Sequence, residues 1–319
     1  MSKGSVFFRN LHLFRLPAPW RITADELEQH LATVRFNPCG NQDMESRGFA
    51  SPRAKTKEAP LVHSTNGQFL IAVCEQKKIL PNAVVQELAE ERAEEIEERE
   101  ARRVGRKEMR EIRERMVDEL LPRALSTKKL VLAWIDPVNG WMAVNAGSPA
   151  RAEAVLELLR KAIKELPASL LKTVISPTSA MTAWLSSGEA PKGFTIDQDC
   201  EMKSAESAAV RYVHHALDGE DVCQHITAGK VATRLALTWN DRISFELTAQ
   251  LEIKHLSFLD ILKDEADGQA ENDDERFDIE FTLMTGELAR LLDDLVLALG
   301  GKTEVGAGDE SSSPAASEK

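Results

Sequence analysis

Between Pro81 and Lys129, 25 of 49 residues are Asp, Glu, Lys or Arg, so this segment has too few apolar side chains to fill a globular core. The apolar residues it does have are spaced by threes and fours, at Val85, Ala89, Ala93 and Ile96, then at Met109, Ile112, Met116 and Leu120. That spacing places each set on one narrow helical stripe. Pro81 suits the first turn, where its missing N–H costs nothing, and Gly105 falls between the stripes, where the chain can turn. Two helices of about 20 residues would each be roughly 30 Å long. The pattern predicts a projecting, antiparallel helical hairpin, a finger over residues 81–129.

The finger's charge is segregated. From Val84 to Glu98 seven acids face one base, Arg92, whereas from Arg99 to Arg115 eight bases face four acids. Such a pattern fits a solvated helical pair laced by i,i+4 ion pairs. It equally fits a basic tip, including Arg102, Arg103, Arg106 and Lys107, that meets a polyanion.

A formal net charge of −12 argues against a nucleic-acid partner only until it is located. Residues 260–319 hold 17 acids and 5 bases, which accounts for all −12 and leaves residues 1–259 neutral. An acidic C-terminal segment therefore masks whatever basic surface lies upstream. Cys39, Cys74, Cys200 and Cys223 are scattered, as expected of reduced thiols in a cytoplasm, and no zinc spacing is present. No apolar run approaches the ~20 residues a membrane helix needs, and no signal peptide is visible.

Along the chain, residues 6–16 favour a strand and Thr23-Ala24-Asp25-Glu26 is a capping box that opens a short helix. Residues 46–58, with Arg47, Arg53, Lys55 and Lys57, suggest a mobile basic loop. Asn66-Gly67 marks a β-hairpin, and Asp136-Pro137-Val138-Asn139-Gly140 a second one with a longer loop. Ser148-Pro149 should cap a helix running to about Leu166. LLKTVIS (170–176) is a strand candidate, Met181–Leu185 a short helix ended by Gly188, and Asp218 the cap of a helix ending at Gly229. Val231, Thr233, Leu235, Leu237 and Trp239 share one face of a strand that turns at Asn240-Asp241 into ISFELT. The last helix runs from about Asp278 to Leu299, with Phe281, Met284, Leu288, Leu291, Leu295 and Leu299 inward, and the tail beyond it should be disordered. Strands arriving as hairpins predict an α+β fold with antiparallel sheets and flanking helices. The expected organisation is 1–80 and 130–301 in a central α+β region, 81–129 as the finger, and 302–319 as the tail.

Two other chemistries are open. On a strand, Asp197, Asp199, Glu201 and Lys203 would share a face, the acid-x-acid-x-Lys arrangement of a metal-dependent nuclease, or simply a solvated strand face. Cys223 and His225 with His214 and His215 lack metal-ligand spacing and fit a partly buried thiol beside surface histidines. No phosphate-binding glycine loop or nucleophile elbow is present. A scaffold that docks proteins through the finger is a third possibility. Aromatic residues are 5% of the chain, too sparse for base-by-base stacking.

Taken together, FFRNLHLFRLPAPW, FNPCGNQDMESRGF, LVHSTNGQ, KKILPNAVV, LLPRALS, WIDPVNGW, LLRKAIKELP, AGKVATRLALTWNDRISF and ERFDIEFTLMTGELARLL resemble the RdgC family over roughly residues 5–301. The resemblance implies a horseshoe-shaped subunit that closes as a homodimer into a ring around duplex DNA. It further implies a nucleoid-associated, non-enzymatic protein without a cofactor or metal. Such a protein binds double- and single-stranded DNA irrespective of sequence and restrains the RecA recombinase. By position, Arg123 and Lys230 match bases that the family directs at DNA, and Arg102 matches more loosely. Leu125 stands where the family often has an exposed Phe, and His214-His215 falls where the subunits meet. From the residues themselves, Arg106, Lys107, Lys128 and Lys129 add positive charge around the finger. Arg234, out of phase with Leu235 and Leu237 on its strand, should face outward.

Overall fold

Antiparallel pairing starts at the turns marked by glycine and asparagine. In the computed structural model, which describes residues 6–53, 59–259, 270 and 272–303, the chain forms two compact units. One is Asn10–Ala168, the other Met1–Arg9 with Ser169–Lys319.

The first unit contains β1 (Leu11–Arg15), α1 (Ala24–Ala32), β2 (Glu45–Ala50), β3 (Val62–Thr65), β4 (Gln68–Lys78), α2 (Asn82–Glu100), α3 (Arg106–Leu120), β5 (Ser126–Asp136), β6 (Trp141–Asn145) and α4 (Pro149–Ala162). Its strands pair antiparallel in the order β2-β4-β5-β6-β1, with β3 also on β4. At the β3–β4 turn Asn66 and Gly67 both have positive φ, 52° and 73°, as a tight primed turn requires. Between β5 and β6, the buried Asp136 carboxylate accepts from the Val138 and Asn139 amides at 3.0 and 2.9 Å and from Asn139 Nδ2 at 2.8 Å, folding the loop on itself. Thr23 and Glu26 make the expected reciprocal capping box on α1. One sheet face, with Ile71, Val73, Val131, Ile135 and Val144, packs beneath Leu27 and Leu31 of α1 and Val155 and Leu159 of α4.

The second unit contains β7 (Ser169–Leu170), α5 (Pro177–Ser187), β8 (Phe194–Lys203), β9 (Ala209–Tyr212), α6 (Glu220–Thr227), β10 (Val231–Trp239), β11 (Ile243–Thr248), β12 (Ile253–Phe258) and a long helix, α7 (Asp273–Ala298). The strands order as β9-β8-β10-β11-β12, all antiparallel. Phe281, Met284, Leu288, Leu291, Leu295 and Leu299 are all buried, as their spacing predicts. The helix begins five residues before the expected Asp278, because the Asn272 side chain accepts the amides of Asp274 and Glu275.

Several local expectations fail for identifiable reasons. Only Ser169–Leu170 of the LLKTVIS region and its neighbour is strand. Beyond it, Val174 and Ile175 donate to Gly301 and Leu299 carbonyls at 3.1 and 2.9 Å, so an irregular chain, not a sheet, takes their amides. α4 stops at Ala162 because Ile163 is extended, and Ser148 caps it without a side-chain hydrogen bond. Arg47 lies within β2, ion-paired to Glu75 at 3.4 Å, and not in a loop, while Lys55 and Lys57 lie outside the described residues. So do most of the C-terminal tail and part of the acidic segment. In β10 a register shift between Ala232 and Arg234 puts Val231 in solvent and Ala232 inside, after which Leu235, Leu237 and Trp239 are buried as expected.

Candidate nucleic-acid interface

In the first unit, α2 and α3 pack on one another through Ala89, Ala93 and Ile112, with Ile96, Val104, Met109 and Met116 around them. The turn between them uses Ala101 in a left-handed conformation (φ 50°) and Gly105 as the residue preceding α3. Val85 is also buried, and most of the remaining residues on the two helices face water. Arg102 is held there in a clasp: its guanidinium donates to both Glu108 oxygens at 2.6 and 2.7 Å and to Glu100 at 2.9 Å. Hydrogen bonds from Arg102 hold the Glu108 carboxyl below its ordinary range, and those from Arg99 and Arg102 do the same for Glu100. Arg102 thus carries a charge that two neighbours already neutralise.

Arg103, Arg106 and Lys107 differ: they are exposed and have no carboxylate within ion-pairing distance among the described residues. So does Arg123, in the single 3-10 turn Leu121–Arg123 that leads out of α3. Beyond that turn the chain enters β5, whose first five residues are exposed although the strand is paired to β4 throughout. Alternation then sends Lys128 and Lys129 to opposite faces. Lys128 Nζ lies 5.5 Å from the centre of the Phe36 ring, a cation–π contact. Lys129 sits across from Glu75, but that carboxylate is shared by Arg47 at 3.4 Å and Arg151 at 3.5 Å.

Leu125 is 78% exposed, which is unusual for an ordered leucine. Its carbonyl accepts the Ile79 amide at 2.7 Å, and Ile79 is itself 49% exposed. Immediately before Ile79, the buried Lys78 ammonium is anchored by the Gly40 and Asn41 carbonyls at 2.7 Å each, and the Lys78 amide donates to the carbonyl of the exposed Met44. The exposed Leu125 is therefore carried on backbone tied to the end of β4.

In the second unit, Lys230 precedes β10; its amide donates to the His225 carbonyl at 3.0 Å and its ammonium lies 3.1 Å from His225 Nδ1. Arg234 is exposed and opposes Glu201 on one side and Thr248 on the other. His214 has a left-handed backbone (φ 50°), and its amide donates to Asp199 at 2.8 Å. His215 stacks at 5.1 Å on Tyr212. Burial and a hydrogen bond to Asp221 push the Tyr212 phenol up to about 12. Arg211, exposed beside it, was not singled out in the sequence; alternation on the four-residue β9 was its only signal.

The acidic row lies on β8, whose pairing with β10 is irregular between Ile196 and Cys200, and each carboxylate is engaged. Asp197 accepts Thr238 Oγ1 at 2.9 Å, Asp199 the His214 amide, and Glu201 both Lys203 at 2.9 Å and Thr233 Oγ1 at 3.1 Å. Desolvation, followed by weaker repulsion from Asp199, raises the Asp197 carboxyl above its ordinary range even though Thr238 opposes the shift. No group of three or more His, Cys, Asp or Glu side chains among the described residues is arranged to hold a metal ion. Nor is any helix among them long and apolar enough to cross a membrane.

A family model described as "Putative exonuclease, RdgC" matches residues 6–302. The chain is 50% identical over 299 residues to the recombination-associated protein RdgC of Herminiimonas arsenicoxydans, covering 93% of this chain and 99% of that one. It is 49% identical to its namesake in Janthinobacterium sp. (strain Marseille), over 94% and 99% of the two chains. Against the protein of that name from Dechloromonas aromatica (strain RCB) identity is 48%, over 93% and 98%. With one family matching almost end to end, and relatives this similar along their whole lengths, the chain belongs to the RdgC family.

Proposed function

We propose that this protein is a non-enzymatic, sequence-independent DNA-binding protein of the recombination system. Two copies close into a ring around duplex DNA, and single strands bind the same surfaces more loosely. The relatives are named for recombination, which supports that context. One observation carries the binding assignment. In a chain of net charge −12, Arg103, Arg106, Lys107, Arg123 and Lys129 stand exposed along one contiguous stretch without ion-pair partners among the described residues. Unpaired surface cations on rigid elements favour phosphate contacts, which confer affinity and register but no sequence information.

In this scheme α2 and α3 form a projecting hairpin that lays its basic end along the DNA backbone. Arg123 and Lys129 continue the contact at its base, with Lys128 on the other face of the strand, while Lys230 and Arg234 add contacts from the second unit. Arg102 contributes least, its charge being already paired. Leu125 offers a small apolar contact to a sugar or base edge, with less surface than a Phe there would have. His214 and His215 lie at one closure of the ring. Occupancy is the mechanism: DNA covered by such rings is withheld from RecA filaments and strand exchange.

Titrating labelled duplexes of unrelated sequence at ~50 and ~200 mM salt, with and without magnesium, tests this. Affinity should fall by a factor on the order of 10³ between the two salt concentrations if about six phosphates are contacted, and should barely depend on sequence. A strong preference for one sequence at ~0.15 M salt refutes phosphate-only binding. Magnesium-dependent cleavage makes the protein a nuclease, and the absence of any DNA retention leaves a protein-docking role for the helical pair.

A further inference from the structure

One row of side chains crosses three strands on the exposed face of the second unit's sheet. Pairing sets Arg211 of β9 opposite Glu201 of β8, and Glu201 opposite Arg234 of β10. The two arginines therefore stand two strands apart, roughly 10 Å between backbones at about 4.8 Å per strand. Both are exposed, and a shallow cleft between them is lined by Asp199, Glu201, Tyr212 and Glu246.

The acids in this cleft each have another partner, although Glu201 also feels the charge of Arg234. Asp199 accepts the His214 amide at 2.8 Å, Glu201 holds Lys203 at 2.9 Å, and Glu246 is bound by His255 Nδ1 at 2.8 Å. Neither Arg211 nor Arg234 has a carboxylate within ion-pairing distance among the described residues. Two forked donors thus point from a rigid sheet with their charge uncompensated by direct pairing, and a fixed anion lies between them.

We propose that Arg211 and Arg234 together seat one phosphodiester of a nucleic-acid backbone, and that Glu201 between them limits how tightly they hold it. The proposal rests on the DNA-binding reading for Arg234; it adds Arg211 as a contact and gives Glu201 an opposing role. Guanidinium groups match phosphate oxygens in pairs, so two of them at this spacing can share one phosphate or bridge successive ones. Glu201 cannot swing away, because Lys203 and Thr233 hold its carboxylate. Its repulsion shortens the residence of any phosphate there.

Fluorescence anisotropy on the full chain decides it, using one labelled duplex at ~50 and ~200 mM salt and the variants Arg211→Ala, Arg234→Ala, Glu201→Gln and Arg123→Ala. Arg211→Ala and Arg234→Ala should each weaken binding about five- to tenfold and lower the salt slope by about one. Glu201→Gln should tighten binding about threefold, since it removes a charge and keeps the shape. If Arg211→Ala binds like wild type while Arg123→Ala is weakened, the seat is refuted and the broader reading stands. If wild type binds no duplex, both fall. Unchanged or weaker binding by Glu201→Gln refutes the restraint. Arg211 lies exposed on an edge strand, so the fold should survive its loss; Arg211→Gln is a second variant with the same expected outcome.

Discussion

Replacing Ile112 with alanine should destabilise the α2–α3 pair while leaving both sheets intact. The pair has a core of its own, in which only Ala89, Ala93 and Ile112 are buried, and Ile112 is the one large side chain among them at 4% exposure. Truncating a buried Ile costs about 2–5 kcal/mol. The rim of Ile96, Val104, Met109 and Met116 is partly exposed and can relax inward, which places the loss near the lower end, about 2 kcal/mol. Helices of 19 and 15 residues are close to the length at which isolated helices are marginal in water, so little else holds them. At about 1.4 kcal/mol per factor of ten, amide exchange over residues 82–120 should accelerate roughly 25-fold. Peptide-resolved hydrogen exchange measures this directly, with β4 and β5 as the internal reference. Unchanged protection across 82–120, or equal acceleration in β4 and β5, would show that the helical pair is not an independent packing unit. The same variant should lose DNA affinity if the pair carries phosphate contacts.

Other outcomes follow from single contacts. Gly48→Ala should cost at least ~1–3 kcal/mol in urea unfolding, because a Cβ there would lie 2.5 Å from the Phe36 Cα, and backbone cannot yield as a side-chain tip can. Glu287→Ala removes the buried carboxylate that Arg242 and Arg290 bind at 3.0 and 2.6 Å; about 3 kcal/mol should be lost in urea unfolding, and a loss below about 1 kcal/mol would refute the assignment. Burial raises the Cys200 thiol from 9.0 to about 12, so below pH 9 folded and unfolded chains are both protonated there, and between about 9 and 12 only the unfolded chain ionises; stability should fall across that window, and Cys200→Ser should flatten the fall. A maleimide at neutral pH should accordingly label the exposed Cys223 well before Cys200. Arg102→Ala should reduce DNA affinity less than Arg123→Ala does, since Glu100 and Glu108 already pair its charge.

Elements dictated by local chemistry were legible from sequence. The Thr23 capping box, the Asn66-Gly67 and Asn240-Asp241 turns and the stripe of α7 each follow from short-range rules, and they appear where those rules put them. The stripes Val85–Ile96 and Met109–Leu120 likewise foretold two helices and the faces they bury. What escaped depends on partners distant in the chain. The 171–176 segment looked like a strand by composition, but its amides go to residues 299 and 301. Arg47 looked mobile until Glu75, on the neighbouring strand, was placed beside it. For the basic residues, sequence located the charge but not its availability. Arg102 and Arg103 are neighbours with similar composition around them, yet one is clasped by two glutamates and the other is not.

The extra residue in β10 has an evolutionary consequence. Because the kink at Thr233 absorbs a change of phase, the strand's inner end can stay locked into the hydrophobic interior while its outer end presents a different set of side chains to solvent. Deleting Thr233 would restore plain alternation, with Ala232 still inward against Met202, Arg234 still outward against Glu201, and Leu235, Leu237 and Trp239 unmoved. A single-codon deletion at this point would thus straighten the strand while leaving the charge it offers to solvent unchanged.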